Sequence, residues 1–302
     1  MATVSSMPFT TPFVKSPQIP KSQNPQITCE AMLSVIIPTY KPQIYIWNCL
    51  DSFMRQQLSH DQFEVIIVVN GCGKQYMEMI EEGLRQRQYD FCIRVLYTKT
   101  PGVSNARNMA LDAMLGDYAT FVDDDDYVSS NYLSDMLVKA DDDTLVVCKF
   151  IDYDEDTKQL RDGYQTHAFN ANMGKPITLM SGHRLLSSSC GKLISRKMIG
   201  RERFNTRISL GEDALFMAQI SRNIKHIVLS SQNCVYFRCV RPDSASHVHK
   251  SVAYYIWNTN KICGIYTRLY LSDRRNYDLR FFLNRILANT KRMFIYTLRL
   301  YH

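Results

Sequence analysis

The stretch FVDDDDY, Phe121 to Tyr127, places four consecutive carboxylates, Asp123, Asp124, Asp125 and Asp126, directly after an apolar approach that reads as a short buried strand. Like charges at that density repel one another unless they splay into water or share a cation. Hard oxygen ligands of this kind suit Mg²⁺ or Mn²⁺ carrying the diphosphate of a substrate. An acidic run is also what a solvated loop looks like. The strand in front favours the metal, because open α/β sheets bind ligands beyond the carboxyl ends of their strands. A second acidic centre lies in SLGEDALF, where Glu212 and Asp213 open a helix. The helix dipole favours carboxylates in a first turn, so capping accounts for them; a carboxylate facing a cleft from that position would also serve as a general base toward a hydroxyl.

The elements that must position these groups alternate. Leu33 to Ile37 reads as a strand closed by Pro38, and Gln43 to Gln57 as a helix. Phe63 to Val69 is a second strand, broken at Asn70-Gly71, and Gln75 to Gln88 a helix with Met79 and Ile80 inward. Cys92 to Thr98 is a third strand, Pro101-Gly102 opens a helix, and Tyr118 to Val122 is a fourth strand. This alternation predicts an α/β fold with a doubly wound, mostly parallel sheet and helices on both faces. Farther on, the pattern predicts a helix at Asn131 to Ala140, one strand over Leu145 to Tyr153 and a hairpin turning at Asp162-Gly163. A short strand at Gly191 to Ser195, a helix at Gly211 to Ile220 and strands at Ile224 to Leu229 and Cys234 to Cys239 follow, and the rest is helical with a break near Ser272-Asp273.

In such a sheet the loops after the first four strands converge on one cleft. They bring together Pro38, Thr39 and Tyr40, then Asn70, then Arg107, then the aspartates. A hydroxyl, a ring face, an amide that both donates and accepts, and a fixed cation suit a nucleotide base and its diphosphate. Thr39 and Asn70 serve equally as turn formers, and an Arg in a helix is commonly solvated. Neither a GxxxxGK[ST] nor a GxGxxG loop is present, so the metal must do the phosphate work.

Hydrophobic residues at 45% and charged residues at 22% of 302 are those of an ordinary globular protein. Its formal charge of +7 is concentrated after residue 250, where nine Lys or Arg face Asp273 and Asp278. The remainder is neutral, which argues against a nucleic-acid-binding protein. The nine cysteines form no CxxC pair and read as small core hydrophobes in a reducing compartment. No apolar run is long enough to span a bilayer and no leader-like segment opens the chain, so the expected location is cytoplasmic.

In this order and spacing the motifs resemble the family-2 glycosyltransferases of the GT-A fold. LSVIIPTYKP is similar to the family's first strand and turn, FEVIIVVNG to its second, and GVSNARNMALDAMLGDYATFVDDDDY to its Arg-bearing helix and D-x-D strand. CGKLISRKMI and RFNTRISLGEDALF continue the likeness, and VYFRCVRPDSAS does so loosely. The resemblance covers roughly residues 33–246, so a GT-A domain is expected over 32–246; residues 1–31, rich in Pro, Ser, Thr and Gln without periodicity, read as a disordered extension, and 247–302 as a basic helical C-terminal extension. It implies inverting transfer of a sugar from a nucleoside-diphosphate donor, commonly a UDP-sugar, to a hydroxyl of a saccharide or lipid-linked acceptor in surface-polysaccharide assembly. Asp123 would lie by the ribose and the metal, Asp124 beside it in the nucleotide site, and Asp125 on the Mn²⁺ or Mg²⁺. Pro38, Thr39, Tyr40 and Arg107 would surround the base, Asp213 would be the catalytic base, and Glu212 would hold the acceptor. Arg238 or Arg241, and His247 or His249, would close over the diphosphate. One departure is Val69-Asn70, which stands where many members carry an aspartate that reads the base; Asn70 retains the hydrogen-bonding capacity to meet a pyrimidine edge.

From Leu279 onward Leu279, Phe282, Leu283, Ile286, Met293, Leu298 and Tyr301 recur at helical intervals among Arg280, Arg285, Lys291, Arg292 and Arg299. Such a helix packs on the catalytic domain or a second subunit as a homodimer, or it lies on anionic lipid through residues 272–302 as a peripheral membrane anchor. Two other classes fit parts of the chain: a module whose aspartates hold structural Ca²⁺, and a non-catalytic nucleotide- or metal-binding member of the same fold.

Overall fold

The computed structural model describes residues 31–240 and 251–299, with side chains to residue 296. The extension over 1–30 and the residues Arg241, His247 and His249 lie outside the described residues. The first half runs β1 (Leu33–Thr39), α1 (Tyr45–Met54), β2 (Phe63–Asn70), α2 (Gln75–Arg87), β3 (Cys92–Thr98), α3 (Val103–Ala113) and β4 (Tyr118–Phe121). Next come β5 (Tyr127–Val128), α4 (Tyr132–Val138), β6 (Thr144–Val147), β7 (Lys149–Asp154), β8 (Gln159–Arg161) and α5 (Tyr164–Asn172). The chain continues through β9 (Lys192–Ser195), α6 (Arg196–Ile199), α7 (Glu212–Ile220), β10 (His226–Leu229), β11 (Val235–Val240), α8 (Val252–Ser272) and α9 (Leu279–Arg299).

Seven strands form one sheet in the order β10-β6-β9-β4-β1-β2-β3. Every pairing is parallel except those of β9 with β4 and β6. β1 and β2 read as continuous apolar runs because helices cover both faces of a parallel sheet, and every residue of both is buried. The chain winds outward from β1 to β3 and then returns to place β4 on the other side of β1. This reversal opens a crevice at the carboxyl ends of β1 and β4, where Thr39 and the aspartates emerge. Pro38 continues β1 instead of closing it. Ile36 faces β4, accepting from the Val122 N–H, and by the two-residue alternation Pro38 faces the same side where β4 has already ended, so its missing N–H costs no ladder bond.

Two expected elements differ. The strand over Leu145 to Tyr153 is two strands: at Cys148 the chain leaves the large sheet, and β7 joins a second sheet ordered β5-β11-β7-β8. The hairpin turns at Glu155 to Lys158, because the Asp154 carboxylate accepts the Thr157 N–H and Lys158 takes φ +56°, while Gly163 opens α5. Met79 is exposed; only Ile80 of that pair is buried. Cys92 is buried in β3 as expected of a core residue, but it is disulfide-bonded, which the expectation of a reducing compartment did not foresee. Among the described residues no helix is long and apolar enough to cross a membrane.

Both ends of α3 are pinned. At the far end of the sheet the buried Arg94 guanidinium donates to Glu64 (2.8 Å) and to the Ala113 carbonyl (2.9 Å), and Glu64 accepts from Ser34 Oγ and the Leu115 N–H (both 2.6 Å). At the crevice end Gly102 is held by Asn70 (3.0 Å). Arg107 therefore projects from a helix fixed at both termini. α8 and α9 pack antiparallel, with Tyr255 stacked on Tyr296 at 4.9 Å, and Ile262, Tyr266, Phe281 and Phe282 join the main core.

Candidate active site

The crevice is built by three loops tied at Asn70. The Asn70 amide donates to the Thr39 carbonyl (2.8 Å) and its oxygen accepts the Gly102 N–H (3.0 Å), while the side chain is buried. That makes Asn70 the tie between the ends of β1 and β2 and the start of α3. Thr39, also buried, donates its hydroxyl to Asp124. Pro38 is buried inside β1, and Tyr40, 52% exposed, is the ring left at the rim.

The four aspartates point to different partners. Asp123, with a half-exposed side chain, accepts from Arg107 Nη2 at 3.0 Å. Asp124 meets Thr39. Asp125 lines a cavity of about 310 Å³ with Tyr45, Asp51, Arg55, Tyr127 and Lys158. Asp126 turns into the core, accepting from the Tyr236 hydroxyl (2.6 Å) and the Cys239 N–H (2.8 Å). Burial, then the charges of Asp123 and Asp125, push the Asp126 carboxyl well above the usual carboxylate range. Its two bonds anchor the acidic loop to β11, a role that the run of identical residues conceals.

Arg107 is the centre of the site. The resemblance puts it by the base; the structure puts it between two carboxylates. Nη1 donates to Asp213 at 2.5 Å and Nη2 to Asp123 at 3.0 Å, and the guanidinium is 3% exposed against the rings of Phe204 and Phe121. Burial opposes its charge, but Asp213 first and Asp123 and Glu212 further down outweigh that, so Arg107 is held more firmly cationic than usual.

Asp213 stands in the first turn of α7, after Gly211 at φ +92°. The Ser189 N–H (3.1 Å) and Ser188 Oγ (3.4 Å) also donate to it, so three groups fix a carboxylate that stays partly open to solvent. Capping alone does not account for that arrangement. Burial, then the neighbouring Asp213, raise Glu212 above the usual carboxylate range. Lys192, fully buried, donates to the Cys190 carbonyl at 3.0 Å, and burial pulls its amine down to about 8. α9 reaches this end of the site: Arg285 donates to the His183 carbonyl at 2.6 Å, and Arg292 lies against Gly211. Ser188, Ser189 and Lys192 were not singled out from sequence; their neighbourhood, CGKLIS, carried only the family likeness. Arg238 is engaged with Asp152 at 2.6 Å across β11 and β7.

Among the described residues no group of three or more His, Cys, Asp and Glu is placed to hold a metal by itself. A divalent cation that accompanies a diphosphate takes only one or two protein carboxylates and fills its other positions with phosphate oxygen and water. The acidic loop offers carboxylates of that number at Asp123 and Asp125, and the charges of both bear on the buried Asp126.

The family described as Glycosyl transferase family 2 matches residues 34–201. The poly(ribitol-phosphate) beta-N-acetylglucosaminyltransferase TarS of Staphylococcus aureus is 24% identical over 226 residues, 73% of this chain and 37% of that protein. A crystal structure of TarS residues 1–349 in complex with UDP-GlcNAc superposes with a TM-score of 0.62 at 22% identity, over 78% of this chain and 66% of the other. The mannosyltransferase PcManGT from Pyrobaculum calidifontis, in complex with GDP-Man and Mn²⁺, gives 0.56 at 15% identity, over 87% and 69%. The matches to the first curated relatives span 49%, 36% and 37% of those proteins' own lengths.

Proposed function

Because the chain belongs to glycosyl transferase family 2 and shares the GT-A fold of its structural neighbours, we propose that it is an inverting glycosyltransferase using a UDP-sugar and a divalent metal. The acceptor is a hydroxyl of a saccharide or lipid-linked chain in bacterial surface-polysaccharide assembly. The observation that carries this reading is the Arg107 bridge, which brings the strand-end Asp123 and the helix-start Asp213 to one guanidinium. Donor phosphate and acceptor hydroxyl would then meet around that cation. TarS, with UDP-GlcNAc bound in its crystal structure, supports the uridine choice, and the Mn²⁺ complex of PcManGT supports the metal.

In the proposed reaction the acceptor oxygen attacks the anomeric carbon from the face opposite the diphosphate. The proton passes to an Asp213 carboxylate oxygen, the bond from the anomeric carbon to the phosphate oxygen breaks, and UDP leaves with the electron pair. Ser188, Ser189 and Arg107 hold Asp213 in place and share its negative charge. Tyr40 offers a ring to the base, and Glu212 orients the acceptor. Asp123 and Asp125 would hold a divalent cation, whose charge would stabilise the departing diphosphate. Substituting Asp213→Asn removes the base while keeping the shape of the side chain. Transfer from UDP-sugars should fall by about two to four orders of magnitude, with UDP binding nearly unchanged. Loss of both together would mean that Asp213 is structural.

A further inference from the structure

α9 has two faces with different fates. Phe281, Phe282 and Arg285 are buried against the rest of the protein. Leu279, Leu283, Leu287 and Phe294 are 48%, 50%, 67% and 58% exposed. At 100° per residue these four fall within an arc of about 80°, and Arg280 and Lys291 continue the arc over roughly the next 40°. Both cations are exposed, as are Arg274 and Arg275 in the α8–α9 connection. α9 itself contains no Asp or Glu, and the acid at its entry, Asp278, is engaged in holding the Phe281 N–H at 3.0 Å. The helix therefore has an inner face that completes the fold and an outer apolar face with positive charge along one edge.

We propose that this outer face of α9 docks the protein on an anionic lipid surface. An apolar stripe with a basic edge is what the acyl–headgroup boundary of a negatively charged bilayer accepts, with the leucines and Phe294 inserted and Arg280 and Lys291 at the phosphates. The charge pattern selects this occupant over a second copy of the chain packed antiparallel, since that two-fold contact through the same face would bring the basic edges together. The same helix sets Arg292 beside Gly211, immediately before Glu212 and Asp213, so docking places the acceptor end of the site at a fixed distance from the lipid. This inference does not depend on the donor or on turnover.

Flotation of the full chain with vesicles tests it. Vesicles of phosphatidylcholine containing phosphatidylglycerol should carry the protein upward, and vesicles of phosphatidylcholine alone should not. Each basic side chain near an anionic surface is worth on the order of fivefold in partitioning, so combining Arg280→Gln with Lys291→Gln should weaken binding roughly tenfold or more. Combining Leu283→Gln, Leu287→Gln and Phe294→Gln should abolish flotation while UDP binding and cooperative melting persist. The proposal is overturned if the wild type stays at the bottom with anionic vesicles, or if either variant floats like the wild type. It is equally overturned if light scattering finds a dimer that the apolar variant dissolves. The charge variant alters only exposed residues, so it decides the matter even if the apolar variant unfolds.

Discussion

Replacing Arg107 by Met removes the cation that joins Asp123 to Asp213 and keeps most of the volume of its stem. Breaking a buried ion pair from one side costs about 3–5 kcal/mol when the abandoned charges are fully buried. Here the side chains left behind are 44% and 19% exposed at Asp123 and Asp213, so water recovers part of their solvation. The expected loss is therefore lower, about 2–3 kcal/mol. At roughly 2–4 °C per kcal/mol for a chain of this size, the melting temperature should drop by at least about 4 °C. Differential scanning calorimetry reads that directly. A double-mutant cycle isolates the pair: with Arg107→Met already present, Asp213→Asn should cost at least about 1 kcal/mol less than in the wild type. Arg107→Lys should recover only part of the loss, since an ammonium is a point charge and does not span two carboxylates as the guanidinium fork does. An Arg107→Met protein that melts like the wild type, or additive effects of the two substitutions, would refute the claim that this bridge organises the site.

Three further outcomes follow from the geometry. Lys192→Met should raise the melting temperature at pH 7. The lysine's folded value of about 8 lies below its free value of 10.5, a penalty of about 3 kcal/mol that is fully present below pH 8 and relieved as pH rises toward 10.5, because the unfolded chain binds the extra proton in that window. The variant's advantage should therefore shrink between pH 8 and 10 in paired melts. Gly211→Ala puts a methyl at φ +92°, 3.2 Å from Ile262 and 3.3 Å from Arg292, and should cost about 1–3 kcal/mol by urea denaturation. Asp126→Asn replaces an acceptor facing the Cys239 N–H and the Tyr236 hydroxyl, so one buried group loses its partner; a loss of about 1–3 kcal/mol is expected in the same assay.

The central strands were legible because a strand covered on both faces is apolar at every position, as LSVII and FEVIIVV are. A crevice at the strand ends was expected from the alternation of strands and helices, while the return of β4 to the side of β1 that forms it is seen only in the folded chain. What the aspartate run hides is direction. Asp124 finds Thr39, Asp126 finds Tyr236 and Cys239, and Asp123 shares Arg107 with Asp213, so each role depends on a residue brought from elsewhere in the chain. Four identical letters carry no mark of that division. Arg107 read as a solvated helix residue or a base neighbour for the same reason, its partner Asp213 lying 106 positions away. The strand over Leu145 to Tyr153 kept its pattern across Cys148 while the backbone changed sheets, an event that alternation does not record. Amphipathic spacing revealed α9, but with apolar residues on two faces it left open which one turns inward; Phe282 is buried and Leu283 is not.

Calorimetric titration of UDP into the purified protein, with Mn²⁺ and then with EDTA, tests the nucleotide cleft most directly. The account predicts saturable binding that requires the metal and is lost in an Asp125→Asn variant. Absence of UDP binding in the presence of Mn²⁺, or binding of equal strength with EDTA, would contradict it.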